Sequence, residues 1–213
     1  MDPDRIAELL RPFASSIELP SNIYLQVARY LDLLLLWNSR TNLTAIREPE
    51  QIVTRHFGES LFAAHLLFGL PDSPGPTALA DVGSGPGFPG IPIKLAFPGL
   101  RVTLIESRNK KATFLKELIR SLGLNDVEVF TGRAERWGHT VDTITLRAVE
   151  RFETIVPISV KLLRPGGRIC LLIGASQSVR AERSLGSAVS WQVEKTMPDD
   201  RNTLVKVGTL RSA

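Results

Sequence analysis

The chain has 213 residues, 43% of them hydrophobic and 23% charged, with 16 Gly and 14 Pro, which excludes a disordered, collagen-like or disulfide-dense chain and leaves room for one α/β sheet with a small appendage. A single cysteine, Cys170, and three scattered histidines exclude an internal disulfide and a multi-thiolate zinc site, so a reducing, cytoplasmic setting without a metal is expected. The formal net charge of +4 is unevenly spread, with 6 Lys/Arg against 9 Asp/Glu over residues 1–76 and 20 against 13 over residues 77–213, so any field for an acidic partner comes from the second part.

Residues 1–8 are acidic and lack the plan of a signal peptide. The longest apolar run, residues 33–37, is far short of the roughly 20 residues a membrane helix needs, so no membrane attachment is expected. Asn42-Leu43-Thr44 matches a glycosylation sequon and, without a secretory signal, is read as chance or structure. Ile6, Leu9, Leu10 and Phe13 follow helical spacing, as do Ile23, Val27, Tyr30, Leu31 and Leu34 after Pro20-Ser21. A third helix is expected from Pro49 to about Gly69. The run Asp72 to Thr77 then reads as a hinge, dividing a helical N-terminal cap, 1–71, from a second unit, 77–213.

From residue 77 onward short apolar runs alternate with helical stretches. Strands are expected at 78–82, 102–106, 127–130, 143–146 and 168–173, with helices at about 87–97 and 110–122. That rhythm predicts a Rossmann-like, mostly parallel doubly wound sheet. Residues 191–195 and 203–208 alternate apolar and polar around Pro198-Asp199-Asp200, the pattern of an antiparallel hairpin at the sheet edge.

The stretch Asp81 to Pro92, DVGSGPGFPGIP, falls where a first strand turns into a first helix, at the end of an open sheet where ligands bind. Its glycines are Gly83, Gly85 and Gly87, and Phe88 stands where a dinucleotide fingerprint needs a third glycine. Pro89 and Pro92 lack amide hydrogens, so the loop is a poor phosphate cradle, and no Gly-Lys-Ser/Thr follows. The second strand ends in Glu106, placed to accept hydrogen bonds from both ribose hydroxyls of an adenosine. Adenosine without a diphosphate is what S-adenosylmethionine offers. Thr131-Gly132-Arg133-Ala134-Glu135 follows the next strand, where Ala134 can pack on the adenine and Glu135 lie near its amino edge.

The glycine run, together with Trp37-Asn38, Asn42-Leu43-Thr44, Arg55-His56 with Glu59-Ser60, and Lys110-Lys111 with Phe114-Leu115, resembles the RsmG (GidB) family of 16S rRNA guanine-N7 methyltransferases over residues 25–175. The resemblance implies a class I methyltransferase sheet behind a helical cap, S-adenosylmethionine as cofactor, and 16S rRNA or the small ribosomal subunit as partner. It also implies cofactor contacts from Gly83, Phe88, Ala134, Glu135 and Arg147, with Gly85 and Glu106 as further candidates. Three positions depart from the family pattern: Leu146 for serine, Glu59 for aspartate, and Ile173 for a lysine beside the cleft. Arg133, Lys110 or Arg201 are candidates to replace that cation.

The residue types agree with N7 chemistry. No Asp/Asn-Pro-Pro-Tyr/Phe motif for an exocyclic amine occurs, and Cys170, in an apolar strand, reads as core rather than as the nucleophile that a pyrimidine carbon requires. Guanine N7 exposes a lone pair, so catalysis reduces to alignment, on a base that is unpaired or flipped out of the deep major groove. Arg147, just past a strand end, is the candidate to hold the cofactor or the guanine. His56 is a second catalytic candidate, with a packed core histidine as the alternative. Lys110, Lys111, Arg133 and Arg201 are the RNA-binding candidates, with Lys116 and Arg120 beside them and a second basic region at Arg164, Arg168, Arg180 and Arg183. Phe88 and Trp137 are either base-stacking or core. A protein or small-molecule acceptor, and a cofactor-binding assembly factor with little turnover, stand as alternative functions. A monomer is the default oligomeric expectation.

Overall fold

The computed structural model describes residues 1–14, 17–69, 77–200 and 202–211. Helix α1 (Pro3–Ala14) buries Ile6, Leu10 and Phe13 along one stripe, and α2 (Ile23–Thr41) does the same with Ile23, Val27, Tyr30, Leu31 and Leu34. The latter ends at Asn42, whose φ of 47° takes the chain out of helical hydrogen bonding. The third expected helix forms in three consecutive pieces: α3 (Pro49–Ile52), a π-helical segment Val53–Gly58, and α4 (Glu59–Phe68). A widened turn of this kind is rare and re-aims the side chains it carries, which here include Arg55 and His56. Of the expected hinge, residues 72–76 lie outside the described residues, and Thr77 leads directly into the first strand.

Among the described residues seven strands form one sheet: β1 (Ala78–Val82), β2 (Arg101–Glu106), β3 (Val127–Thr131), β4 (Val141–Arg147), β5 (Leu163–Gly174), β6 (Val189–Thr196) and β7 (Thr203–Leu210). Their spatial order is β3-β2-β1-β4-β5-β7-β6. Strand β1 pairs in parallel with both β2 and β4, and the expected antiparallel hairpin of β6 and β7 closes onto β5. Because β1 feeds β2 on one side and lies against β4 on the other, strand order reverses there, which opens a crevice at the carboxyl ends of these strands.

The crossover helices are α5 (Gly90–Ala96), α6 (Asn109–Leu122), α7 (Phe152–Val160) and α8 (Ala175–Leu185). Helix α5 begins at Gly90 rather than near Gly87, since Gly83, Gly85 and Gly87 all have positive φ and the turn consumes them. Two helices were absent from the sequence expectation. The α7 segment FETIVPISV is apolar with little periodicity and contains Pro157, a breaker signal, while α8 buries mainly small residues, Ser178 and Ala181, that carry little hydrophobic pattern.

Side chains alternate across the sheet with period two. Leu79, Leu104, Cys170, Leu172 and Val205 face one core, shared with α1, α2, α4, α5 and α6. Ala80, Val82, Ile144, Leu146, Ile169, Leu171 and Ile173 face the other, filled by Phe152, Val156, Ala181 and Leu185. Two of the departures, Leu146 and Ile173, are therefore core side chains on β4 and β5. Trp137 and Phe88 are both buried, which resolves that choice in favour of packing. No described helix is long and apolar enough to cross a membrane.

Candidate active site

The glycine loop is held from three directions. Buried Asp81 accepts the Thr145 hydroxyl at 2.8 Å and the Gly90 N–H at 3.2 Å, tying β1 to β4 and to the start of α5. Burial pushes its carboxyl up to about 6. Glu106, at the end of β2, accepts the Gly85 N–H at 2.9 Å and the Arg108 N–H at 2.7 Å, one on each oxygen. From the helical cap, the Tyr30 hydroxyl donates to the Pro86 carbonyl, and its ring stacks on Phe88 with centroids 5.2 Å apart. A Cβ on Gly87 would lie 2.6 Å from that hydroxyl oxygen, so glycine is required both for a φ of 102° and for the close approach of α2.

Beneath this loop lies a cleft of about 250 Å³ at the carboxyl ends of β1 to β4. It brings together Gly83, Glu106, Ala134 and Glu135 of the expected cofactor residues, and Lys111 and Arg133 of the expected RNA residues. Gly85 does not line it, and its N–H is spent on Glu106. Phe88 does not line it: the ring is enclosed by Tyr30, Phe57 and His56. Lys110 is exposed in the first turn of α6, and Arg201 lies outside the described residues. The sequence reading missed the far wall, Ala148 to Arg151 with Thr154, Ile155 and Ile158. Ala148 and Arg151 have φ of 49° and 51°, the left-handed region that side chains other than glycine seldom adopt and that is common at functional sites. The signal available for that wall was its position, directly after the strand flanking the switch point.

Arg147 and His56 also lie outside the cleft lining, in a polar cluster built by the N-terminal motifs. Asn38 and Thr44 exchange two hydrogen bonds, at 3.0 and 2.9 Å, which fix the segment after α2. The Thr44 hydroxyl then meets His56 Nε2 at 2.8 Å. His56 is 6% exposed, and burial, reinforced by Arg147 and Arg55, pushes its pKa down to about 3. It is a neutral, packed imidazole that positions Thr44. Glu59, 1% exposed, receives Arg147 Nε and Nη2 on one oxygen, at 3.2 and 2.7 Å, and Arg55 Nε on the other at 3.0 Å. Arg147 Nη2 also donates to the Arg55 carbonyl at 2.9 Å. The end of β4 is thus locked to the π-helical segment by a nearly water-free carboxylate. Among the described residues no group of three or more His, Cys, Asp and Glu side chains is placed to hold a metal.

A family model for GidB, described as rRNA small subunit methyltransferase G, matches residues 23–201. A curated relative from Stenotrophomonas maltophilia (strain R551-3), named ribosomal RNA small subunit methyltransferase G, is 41% identical over 92% of this chain and 89% of its own length. One of the same name from Roseiflexus castenholzii (strain DSM 13941 / HLO8) is 45% identical over 76% of this chain and 70% of its own. In architecture the chain is similar to the crystal structure of TrmN from Thermus thermophilus, with a TM-score of 0.59 at 18% identity over 74% of this chain and 53% of that one.

Proposed function

The chain belongs to the GidB family, and from that premise we propose that it is the methyltransferase that modifies N7 of a guanine in the 16S rRNA of the small ribosomal subunit, with S-adenosylmethionine as donor. The cleft fits an adenosine-bearing donor. Glu106 presents a buried carboxylate whose oxygens each accept one backbone N–H and retain acceptor capacity for ribose hydroxyls. Val82, Ile105, Ala134 and Val149 supply apolar walls, and Gly83 leaves the backbone bare. When bound, the donor supplies an electrophilic methyl group on a sulfonium sulfur.

The chain's own residues then have to bind and orient, because guanine N7 carries its lone pair already and no proton must leave before attack. The buried titratable groups agree with that economy. Burial pushes the Cys170 thiol up to about 12, which removes it as a nucleophile, and His56 has no charge to exchange near neutral pH. Arg147, its Nε and Nη2 fixed on Glu59 and the Arg55 carbonyl one residue before the cleft wall, has, among the described residues, Nη1 left to meet the cofactor or the guanine edge. With Ile173 in the core, the cations bordering the cleft among the described residues are Arg108, Lys111, Arg133 and Arg151.

The observation that carries this reading is the convergence of Asn38, Thr44, Arg55, His56 and Glu59 from the helical cap on Arg147, one residue from the cofactor cleft. The test is transfer of labelled methyl from S-adenosylmethionine to small subunits purified from cells lacking this protein, with the product base identified by nuclease digestion and mass spectrometry. N7-methylguanosine at one rRNA site is the expected product. Label on another base, or on protein alone, overturns the assignment. Arg147→Ala is expected to lower transfer by about tenfold or more through loss of an oriented cation, with near-normal turnover removing Arg147 from the site.

A further inference from the structure

The cluster around Glu59 extends one residue further than the methyl-transfer reading uses. Arg55, 43% exposed, has its Nε fixed on Glu59 Oε1, which aims the outer end of its guanidinium away from the core. Its Nη2 reaches Asp200 Oδ2 at 3.1 Å, in the turn between β6 and β7. Arg147, Glu59, Arg55 and Asp200 thereby form a chain of alternating charge with no net charge, running from the end of β4 across the π-helical segment to the edge hairpin.

The Arg55–Asp200 link is the one contact in this chain that both partners can lose without being stranded. Asp200 Oδ1 accepts the Asn202 N–H at 2.9 Å and Oδ2 accepts the Thr203 hydroxyl at 2.8 Å, so its carboxylate and its turn are satisfied locally. Arg55 keeps Glu59. A half-exposed arginine that is fixed at Nε by Glu59 and, among the described residues, capped at its outer end by a carboxylate its own turn already satisfies has the makings of an anion site with an internal anion in it. Its location selects the anion. Arg55 and Arg147 donate to opposite oxygens of Glu59, so the Arg55 guanidinium lies beside the strand end that borders the cleft, where a strand delivering a guanine must run.

We propose that Arg55 binds a backbone phosphate of the RNA strand next to the target guanine, and that Asp200 occupies Arg55 until a phosphodiester displaces it. The inference rests on the rRNA reading and adds a contact and its masking. Exchange of the Asp200 carboxylate, 16% exposed under Arg55, for one phosphate leaves the buried Arg147–Glu59 pair intact, so the site can open to RNA without unlocking the end of β4.

The experiment is a double-mutant cycle on the full chain. Binding to small subunits lacking the modification is measured over a series of salt concentrations for wild type, Asp200→Asn, Arg55→Gln and the double variant. Asn retains an oxygen for the Asn202 N–H, and thermal unfolding of each variant checks that the fold is kept. Asp200→Asn is expected to tighten binding by about two- to fivefold, the range set by an ion pair whose arginine is half-exposed. Arg55→Gln is expected to weaken binding and to lower the slope of log affinity against log salt by about 0.7, one single-strand phosphate contact. The double variant is expected to match Arg55→Gln alone. A gain from Asp200→Asn that persists without Arg55 is general charge repulsion and overturns the proposal, as does an unchanged salt slope in Arg55→Gln. If wild type binds no subunit, the rRNA reading fails and this one with it; binding that none of the variants alters overturns this one alone.

Discussion

At Gly87 the glycine loop and helix α2 meet at close range. The Gly87 φ of 102° is closed to ordinary side chains, and the space its Cβ would take is filled by the Tyr30 hydroxyl that anchors the loop. Gly87→Ala is expected to cost about 3 kcal/mol or more in chemical denaturation, combining backbone strain with overpacking, and to weaken cofactor binding through the displaced loop. His56 makes the opposite kind of contribution, through charge. Its pKa falls from 6.5 to about 3 on folding, so the unfolded chain binds a proton that the native chain refuses as pH drops below about 6.5. That part of the stability is fully present above pH 6.5 and is lost progressively toward pH 3. Between pH 7 and 5 wild type should lose more stability than His56→Gln, measured by urea unfolding at each pH. Equal slopes would mean the imidazole is not held neutral.

At the scale of elements, the π-helical segment does what an uninterrupted helix would not. Over six residues it carries Arg55 toward the β6–β7 turn and His56 toward Thr44, and hands over to Glu59 at the start of α4. Glu59 then joins that helix to β4 through Arg147. Breaking a buried ion pair on one side leaves the other charge without compensation, so Glu59→Gln is expected to cost about 2–4 kcal/mol and to reduce methyl transfer at least tenfold, while Glu59→Asp, which keeps the charge, should lose less of both. Retention of full transfer by Glu59→Gln would show that Arg147 is oriented by something else. The motifs that form this cluster, Asn38, Thr44, Arg55-His56 and Glu59, were all visible in the sequence. Their mutual contacts were not, because residues 38 to 59 approach residue 147 only once the helices have docked on the sheet.

Across the whole molecule, the helical cap and the sheet share one continuous core. Tyr30, Phe57, Phe88 and Phe114 pack together from α2, the π-helical segment, the glycine loop and α6, and Trp37 of α2 meets Phe114 edge-on at 5.6 Å. Each such aromatic pair adds about 0.5–1.5 kcal/mol beyond area burial. The chain is therefore expected to unfold in one transition. Emission from a Trp37-only variant, which reports on the cap, should coincide with that from a variant keeping Trp137 and Trp191, which report on the sheet. Two separated midpoints would mean the cap folds independently.

The sequence by itself determined the sheet class, the antiparallel edge, the glycine turn and Glu106, because each is written in local periodicity or in residues adjacent along the chain. The helical character of the cap followed from the same periodicity. Only the tertiary structure decided that Phe88 packs with the cap instead of lining the cleft, that His56 is buried, and that Ala148 to Arg151 form the far wall. These depend on which surfaces lose water when distant segments meet, and neither burial nor an ion pair spanning 88 positions of sequence leaves a local mark.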